Sequence, residues 1–569
     1  MNINAIRNLL LDNKHIAEID IKKVEKYKNK LYEILIFCNL SNDLEWIPIV
    51  IGIPLNWEQN LIDIYLNTTE IPFIPHVESN GKVCLYDLEG CLIDWDLFGI
   101  LEQCIMRARE LIILGIKGDN RKDFLIEFNS YFNELKNFGY AKVSIPNIKK
   151  NQNISYCFLT QQRKFPEIFA SCELNDFKTW NIKLPRRNGM YFFVETNEPI
   201  YPPDYKKGVD LEYLKNILPY IEFRDFEKLC EKCKNECLII FEIKQKSGIT
   251  NCFGVLIKGA IFEYSEKMRL IGFSELLPIA IDRIDKSYLM NRTSSGDNLL
   301  KGKSYLLIGC GSIGGYVFYD LIKSGCENIT IVDHDSLKEE NIYRHLLGVE
   351  SVGRSKTDAL CKYAKNTLPN LNIKSVNKGI EEAVKSDSIN FEEYDYIISA
   401  TGNHNVNRWI NRYVNEKKIE TSVFYIWNEP LDIGSHVAYI NINKEGCYEC
   451  FFSRTEDGEL YDVTSYCEPK QEFVKSYLGC SGTFIPYSSL VSIKSATLFL
   501  DLLKKVITGR VERNSLISEK GDDYYFKQAG LLLSEVYEKQ KENIAVIEGN
   551  KFVNCNCRMC IKNDEYSSQ

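Results

Sequence analysis

The segment from 309 to 314 has the composition of a loop that holds phosphate. Three glycines make the pattern, Gly309, Gly311 and Gly314. Glycine allows a tight turn and a close approach of phosphate, which then meets unpaired N–H groups at the positive end of the following helix. The apolar run 305–308 predicts a buried parallel strand before the loop. Asp333 and Asp335 follow a second predicted strand about 20 residues later, where a carboxylate can bind a ribose.

Three polar residues converge on this nucleotide site after the second strand. They are Asn341, Arg344 and Lys356, and the last opens another predicted helix. Hydride transfer does not need this set. Arginine and lysine do stabilise the negative charge that develops when a triphosphate reacts. The pattern therefore favours ATP chemistry over a dehydrogenase.

Two pairs of cysteines have the spacing of zinc ligands. The pairs are Cys447 with Cys450 and Cys557 with Cys560. Two such pairs supply four thiolates, which is a closed tetrahedral site with no position left for catalysis. We expect Zn²⁺ to tie the last segment of the chain to its domain, because the affinity for the metal contributes to folding. Cys555 is an alternative ligand, and four unrelated buried thiols are the alternative reading.

Cys84 is a candidate nucleophile near the N-terminus. It follows the Asn80-Gly81 turn, and the short extended segment 83–85 would hold its thiol at a rim. The alternatives are a buried, inert thiol at this position and Cys91 as the reactive cysteine, although Cys91 has no Asn-Gly turn before it.

The motifs between 309 and 356 follow one another in a recognisable order: the glycine loop, Asp-x-Asp, Asn-x-x-Arg and Lys. This order resembles that of the E1-like adenylating enzymes, which include ubiquitin-activating enzymes and the ThiF and MoeB proteins. Arg344-His345, Gly348 and the segment 353–356 are most similar to the bacterial E2–E1 fusions of anti-phage CBASS operons. The resemblance is strong over about 302–503 and weaker, but sufficient to identify motifs, in the N-terminal region. It implies that ATP, with Mg²⁺, adenylates the C-terminal carboxylate of a small protein, which a cysteine then captures as a thioester.

The resemblance also assigns roles to residues outside the nucleotide loop. Cys480, between glycines and before a predicted helix over 489–503, occupies the place of the thioester cysteine on a mobile loop, and Cys467 is its rival. Arg292 lies where relatives place an arginine that reaches ATP, often across a dimer interface, and a solvated loop arginine is the alternative. Asn403 matches a family asparagine, whereas Gly402 replaces the aspartate that helps to hold magnesium in many relatives.

The sequence around Cys84 resembles the active-site stretch of E2 ubiquitin-conjugating enzymes, Asn-Gly-x-Ile/Val-Cys-Leu. Predicted helices over 98–114 and 123–132 look like those of bacterial E2-like domains. One departure concerns the His-Pro-Asn motif, whose asparagine supports the oxyanion. This chain has Pro75-His76-Val77 in its place.

The composition of the 569 residues is that of a globular protein, with 45% hydrophobic residues and no apolar run long enough to span a bilayer. The polar start of the chain does not predict a signal peptide. Twenty cysteines without such a signal favour reduced thiols, metal ligands or catalysis in the cytoplasm. The net charge of −8 argues against general nucleic-acid binding.

We therefore predict three domains, all of α/β or α+β class. Residues 1–136 would form an α+β E2-like domain, 137–297 an α+β linker domain, and 298–569 a Rossmann-like adenylation domain with zinc knuckles. Three cysteines in the linker, Cys230, Cys233 and Cys237, have a spacing similar to that of metal ligands. The same spacing fits one face of a charged helix, and we interpret these cysteines as structural.

The predicted function is a relay. ATP activates a partner's C-terminus, Cys480 forms a thioester, and Cys84 passes the acyl group to a lysine of a target protein. By resemblance, the partner would be a cGAS/DncV-like nucleotidyltransferase or another ubiquitin-like protein, and the enzyme a homodimer. The alternatives are a sulfur-carrier activating enzyme, which would not need the Cys84 domain, and a scaffold that binds nucleotide without turnover.

Overall fold

The computed structural model describes most of the chain, namely 2–43, 45–90, 92–146, 148–160, 166–232, 236–264, 268–291, 299–369, 371–471, 473, 475–476 and 483–560. The chain divides into two compact units, Met1–Leu289 and Met290–Gln569. None of the described helices combines the length and apolar character needed to cross a membrane.

The first unit opens with a four-stranded antiparallel sheet in the order β1-β2-β3-β4. Its strands are β1 (Ile16–Tyr27), β2 (Lys30–Ser41), β3 (Trp46–Pro54) and β4 (Asp63–Leu66). Helices α1 (Ile3–Asp12) and α2 (Leu97–Lys117) pack on this sheet around one cluster of isoleucines and leucines. Helix α2 is three residues longer at its C-terminal end than the predicted 98–114, because Gly118 adopts the left-handed conformation that ends it.

The segment 123–132 forms less helix than predicted. It contains one short helix, α3 (Asp123–Ile126), and a 3-10 helix, Phe128–Phe132. Its aromatic side chains pack against different parts of the unit. Phe124 stacks on Phe73, and Phe132 stacks on Phe253. Packing in two directions explains why no single continuous helix forms.

The rest of the first unit is a closed seven-stranded barrel in the order β10-β11-β5-β7-β6-β8-β9. The strands are β5 (Gly139–Ser144), β6 (Gln152–Phe158), β7 (Glu167–Ser171), β8 (Arg187–Thr196), β9 (Glu236–Gln245), β10 (Thr250–Tyr264) and β11 (Met268–Arg283). The helices of this region are α4 (Leu174–Thr179), α5 (Leu211–Ile217), α6 (Tyr220–Lys232) and α7 (Lys286–Asn291). Cys230 on α6 and Cys237 on β9 are buried in one apolar cluster, and Cys233 lies outside the described residues.

The second unit is built on an eight-stranded sheet in the order β14-β13-β12-β15-β16-β17-β22-β23. The first five of these strands are parallel and the last three join antiparallel. They are β12 (Ser304–Ile308), β13 (Asn328–Val332), β14 (Asn372–Val376), β15 (Tyr396–Ser399), β16 (Ser422–Asn428), β17 (Gly434–Ile440), β22 (Ser515–Lys520) and β23 (Ile544–Glu548).

Both faces of this sheet are covered, as the continuous apolar run in β12 predicts. Tyr305 and Leu307 pack on the cluster formed with α8 (Ser312–Lys323), α9 (Lys356–Thr367) and α12 (Ser489–Ile507). Leu306 and Ile308 point the other way, towards α10 (Ile380–Lys385) and α11 (His404–Lys417). Parallel strands covered on both faces form the doubly wound arrangement predicted for this region.

Small elements complete the second unit. They are β18 (Phe452–Arg454), β19 (Leu460–Asp462), β20 (Lys475–Ser476), β21 (Thr483–Phe484), α13 (Tyr524–Gln528), α14 (Glu535–Lys539) and α15 (Gly549–Phe552).

Candidate functional site

The glycine loop connects β12 to α8 with no side chain in the way. Gly309 has φ +90°, and a Cβ there would lie 2.9 Å from the backbone nitrogen of Thr401. A Cβ at Gly314 would lie 1.9 Å from the carbonyl oxygen of Gly309. At Gly311, in contrast, a Cβ would meet nothing within 4 Å. The first and last glycines are therefore required for the turn, and the middle one leaves space for a phosphate.

Asp333 fixes the loop to the next strand. One oxygen of its carboxylate accepts a hydrogen bond from the backbone N–H of Cys310 at 2.6 Å, and the other accepts from the N–H of Asp335 at 2.8 Å. His345 supports the same loop from the other side. Its Nδ1 accepts from the N–H of Leu347, so its Nε2 carries the proton and donates to the carbonyl of Cys310 at 2.7 Å. Burial lowers the pKa of His345, which keeps the ring neutral.

A crevice of about 520 Å³ lies at the carboxyl ends of β12, β13 and β15. Predicted residues that line it are Gly309, Gly311, Asp333, Asp335, Lys356 and Asn403. Lys356 is buried and donates to Asp335 at 2.9 Å. Partial burial opposes ionisation of Asp335, yet the bond from Lys356 lowers the pKa of this carboxyl. The crevice thus combines a phosphate loop, a carboxylate and a buried cation.

Two other predicted residues, Asn341 and Arg344, are not among the lining residues of the crevice. Asn341 caps a 3-10 helix, Glu339–Asn341, because its side-chain oxygen accepts from the N–H of Lys338. Arg344 lies over the ring of Tyr487 at 5.3 Å, and the hydroxyl of Tyr487 pairs with that of Ser312 at 2.8 Å. Arg292 lies outside the described residues.

Sequence reasoning missed several residues of the crevice. Tyr487, Lys378 and Thr401 line it, although none was predicted to do so. Tyr487 comes from the far end of the unit, 175 residues from its partner Ser312, so no local pattern could place it there. Thr401 follows directly after β15, and the rule that ligands bind at the carboxyl ends of parallel strands could have indicated it.

Magnesium would have carboxylates available without an aspartate at 402. One ligand atom each from Asp333, His334 and Asp335 lies within 4.8 Å of the others. Gly402 has φ +63°, a conformation that favours glycine. Since Mg²⁺ keeps several waters when it accompanies nucleotide phosphates, one or two of these carboxylates would suffice.

The four predicted zinc ligands come together. The sulfurs of Cys447 and Cys450 are 3.8 Å apart, that of Cys557 is 3.6 Å from Cys447, and that of Cys560 is 3.5 Å from Cys450. Zn–S bonds of about 2.3 Å in a tetrahedron place sulfurs about 3.8 Å apart. The four sulfurs all lie within 4.8 Å of one another, whereas Cys555 is exposed. The donor set therefore fits zinc, with the predicted ligands in preference to Cys555.

Cys84 lies at an exposed rim of the first unit. Gly81 has φ +91°, and a Cβ there would lie 2.1 Å from the carbonyl of Leu66, so the Asn-Gly turn depends on glycine. The N–H of Cys84 then donates to the carbonyl of His76 at 2.8 Å. Packing against the protein raises the pKa of the Cys84 thiol to about 11, and the carboxylate of Glu78, 3.9 Å from the sulfur, adds to the effect.

His76 takes the place of the usual E2 asparagine motif but has no free ring nitrogen. Its Nε2 lies 3.0 Å from Asp123 and its Nδ1 lies 2.9 Å from Glu127. The hydrogen bond to Glu127, opposed by burial and reinforced by Asp123, raises the pKa of His76. Two carboxylate partners require both nitrogens to be protonated. His76 therefore ties the Cys84 loop to the segment 123–132, with no N–H left for an oxyanion.

Of the other candidate nucleophiles, Cys467, Cys480 and Cys91, the structure describes only Cys467. Cys467 is buried, and its thiol donates to Glu429 at 3.3 Å. Burial, together with the charge of Glu429, raises the pKa of Cys467 far above its ordinary value. These contacts argue against Cys467 as a mobile thiolate nucleophile. Cys480 and Cys91 lie outside the described residues.

The comparisons with protein families match both units. Residues 288–517 match the ThiF family, and residues 17–140 match the prokaryotic E2 family B. These matches, with the doubly wound sheet, confirm the predicted fold class and the resemblance to E1-like enzymes fused to an E2-like domain.

Among similar curated proteins is the ATP-dependent ubiquitin transferase-like protein Cap2 of Pseudomonas aeruginosa, 23% identical over 77% of this chain and 80% of that protein. Cap2 of Vibrio cholerae is 27% identical over 39% of this chain and 38% of that protein. The adenylyltransferase and sulfurtransferase UBA4 of Vanderwaltozyma polyspora is 28% identical over 32% of this chain and 41% of its own. A structure of Escherichia coli MccB with ATP aligns with a TM-score of 0.33 at 19% identity, covering 46% of this chain and 67% of MccB.

The four-cysteine cluster predicts a sharp difference between two neighbouring substitutions. We expect Cys560→Ser to reduce bound zinc from about one equivalent per chain and to lower the thermal stability of the second unit, because a tetrahedral site loses a ligand. Cys555→Ser is the matched control and should change neither quantity. Elemental analysis and calorimetry of the purified chain measure both. Equal zinc loss in the two variants would contradict this ligand assignment.

The carboxylate beside Cys84 predicts slow alkylation of its thiol near neutral pH. Glu78→Gln removes a negative charge and should lower the pKa of Cys84, so that reaction with iodoacetamide at about pH 8 becomes several-fold faster. Mass spectrometry of the peptide that contains Cys84 measures the rate. Glu58→Gln, at an exposed position of the same unit, is the control and should have no effect. An unchanged rate in Glu78→Gln would show that the carboxylate does not act on this thiol.

The ion pairs of His76 predict a stability that depends on pH. A raised pKa in the folded state contributes stability below the unfolded value of about 6.5, and this contribution is lost as pH rises through the folded value. His76→Gln should therefore lower the temperature at which proteases cleave within 76–132 at pH 6, by about 2–4 °C for about 1 kcal/mol. At pH 9 the difference should shrink. His15→Gln, in the same unit, is the control, and a difference that grows with pH would contradict this role of His76.

Proposed function

We propose that this chain, an E1-like adenylating enzyme fused to an E2-like domain, activates the C-terminal carboxylate of a partner protein and conjugates it to an amine. One observation carries the proposal. A crevice with a glycine loop, Lys356 and Asp335 occurs in the same chain as an exposed cysteine, Cys84, on an Asn-Gly turn of the E2-like domain.

The first step is adenylation. The N–H groups of the glycine loop hold the phosphates of ATP at the start of α8. An oxygen of the partner's carboxylate attacks the α-phosphorus, and the bond to pyrophosphate breaks. Lys356 and Arg344 stabilise the charge that develops on the phosphates. Asp333 and Asp335 would hold Mg²⁺ with the nucleotide, and the ion would neutralise part of this charge. Asp335, now paired with Lys356, exchanges that partner as the phosphates arrive.

The second step forms a thioester. The sulfur of Cys480 attacks the acyl carbon of the adenylate, AMP leaves, and the thiol proton passes to solvent or to the leaving phosphate. Cys480 comes shortly before Tyr487 in the sequence, and Tyr487 lines the crevice. This closeness in sequence supports the assignment. The buried hydrogen bond from Cys467 to Glu429 speaks against its rival.

The third step transfers the acyl group to Cys84, whose sulfur attacks the thioester and releases the thiol of Cys480. A lysine of the target then attacks the new thioester, so that an amide forms and the Cys84 thiol is restored. After burial, which has the largest effect, the charges of Glu78, Glu127 and Glu134 also raise the pKa of Cys84, against the opposite effect of Lys82. The same charges attract a protonated lysine, and a carboxylate this close can take the proton that the amine must lose.

The finer assignments follow from the family resemblance. The activated partner would be the C-terminus of a cGAS/DncV-like nucleotidyltransferase, in cytoplasmic anti-phage defence. A homodimer would let Arg292 reach the nucleotide of the other subunit. The four cysteines 447, 450, 557 and 560 would hold Zn²⁺ as a structural ion that stabilises the end of the domain. The division into domains at 136 and 297 belongs to this proposal as well.

Intact mass under non-reducing conditions tests the relay. With ATP, Mg²⁺ and a cGAS/DncV-like nucleotidyltransferase that has its native C-terminus, we expect a thiol-sensitive adduct in the wild type and in Cys84→Ala, and none in Cys480→Ala. An adduct lost with Cys84→Ala but retained with Cys480→Ala would contradict the direction of transfer. A persulfide on Cys480 would instead favour a sulfur-carrier activating enzyme.

Pyrophosphate release tests the adenylation step separately. Lys356→Ala should slow it by about 100- to 1,000-fold, the usual effect of removing one donor that stabilises developing charge. Lys362→Ala changes an exposed lysine on the same helix, α9, and serves as the control. ATP binding with no pyrophosphate release in the wild type would favour the alternative hypothesis of a scaffold that binds nucleotide without turnover.

A further inference from the structure

A second cavity, of about 600 Å³, lies between α11 and the two cysteine pairs of the second unit. Four arginines line it, Arg408, Arg412, Arg454 and Arg558. The one carboxylate among its lining residues is Glu449. Nothing in the adenylation chemistry requires this concentration of positive charge away from the phosphates.

Most of this charge is not compensated within the described residues. Glu449 forms a two-point ion pair with Arg408, at 2.7 and 2.8 Å, which neutralises that arginine. Arg454 donates to the carbonyl of Gly458 and has no carboxylate partner among the described residues. Arg412 and Arg558 are exposed and form no ion pair there. Three guanidinium groups therefore share one cavity, and an anionic ligand would relieve their repulsion.

A buried amide in the same cavity also lacks a partner. Asn411 is 2% exposed, and its Nδ2 has no hydrogen-bond acceptor among the described residues. Its oxygen is occupied, since it accepts from the N–H of Tyr448 at 3.3 Å. A buried donor without an acceptor costs about 1–3 kcal/mol. The Asn411 side chain would have to turn into the cavity before an oxygen of a bound ligand could accept from it.

The other lining groups suit a peptide. Asn405 and Asn556 can each both donate and accept hydrogen bonds, as the backbone of an extended peptide requires. Trp409, whose ring stacks on that of Tyr413 at 5.3 Å, supplies an apolar wall. Carboxylate side chains on such a peptide would pair with the arginines.

The start of α11 contributes residues to both the cavity and the nucleotide crevice. Asn403 and Val406, at the start of α11, line the crevice, and Asn405 between them lines the cavity. From Val406 to Arg412 the helix rises about 9 Å. An extended peptide covers that distance with about three residues. A chain whose terminal carboxylate lies in the crevice can therefore reach the arginines with residues a short distance upstream.

We propose that this cavity binds acidic side chains in the C-terminal tail of the protein that the enzyme activates, about three to six residues before the terminal carboxylate. This inference rests on the proposed function, because it takes the substrate of the crevice to be a C-terminal tail. It adds the chemistry by which that tail is selected.

Fluorescence anisotropy with the full chain tests the proposal. The probes are two labelled peptides of about twelve residues in a glycine-serine background, one with glutamates at the fourth to sixth positions from its C-terminus and one with glutamines there. We expect the glutamate peptide to bind about tenfold more tightly. The double variant Arg412→Gln/Arg558→Gln should abolish the difference. Arg510→Gln/Lys362→Gln removes the same number of charges elsewhere in the unit and should preserve it.

Three results would overturn the proposal: equal binding of the two peptides, a preference that survives in Arg412→Gln/Arg558→Gln, and displacement of the peptide by a single-stranded oligonucleotide at lower concentration. Pyrophosphate exchange with the same peptides keeps the two hypotheses apart. Exchange without a preference for glutamate contradicts this inference and leaves adenylation standing. A preference for glutamate without exchange supports the cavity and counts against adenylation of these tails.

Discussion

The close approach of strand β12 to helix α8 is the constraint on which the nucleotide crevice depends. A Cβ at Gly314 would lie 1.9 Å from the carbonyl of Gly309, so the strand, loop and helix meet only if these positions carry no side chain. Asp333 and His345 then hold Cys310 of the loop from two directions. Because the loop is fixed before a ligand arrives, its N–H groups need not reorganise around a phosphate, which is the condition for effective electrostatic catalysis.

The nucleotide crevice and the rim around Cys84 have opposite electrostatics, as the proposed relay requires. The crevice gathers cations, with Lys356 buried beside Asp335. The rim around Cys84 gathers carboxylates, which raise the pKa of its thiol to about 11 after the larger effect of packing. A thiol of high pKa is a poor leaving group and a strong nucleophile once deprotonated. Such a thiol suits a cysteine that accepts an acyl group and holds it until an amine arrives.

The cysteine pairs of the second unit help to form the arginine-lined cavity. Four sulfurs at tetrahedral spacing bring residues 557–560 against 447–450. That contact places Arg558 opposite α11, where Arg408 and Arg412 lie, and so creates the cationic cavity. The four-cysteine cluster and the cavity therefore depend on the same segments, and we expect disruption of the cluster to disturb the cavity.

The sequence alone determined the elements whose signals are local. The glycine spacing, the apolar run 305–308 and the cysteine pairs each specify a geometry within a few residues, so the strand-loop-helix unit, the sheet class and the clustering of the four cysteines could be predicted. It did not determine which distant residues meet. Tyr487 in the crevice, the double clamp on His76 and the hydrogen bond from Cys467 to Glu429 join residues that are far apart in the chain. Only tertiary packing brings such residues together, because no periodicity or spacing encodes a contact between separate elements.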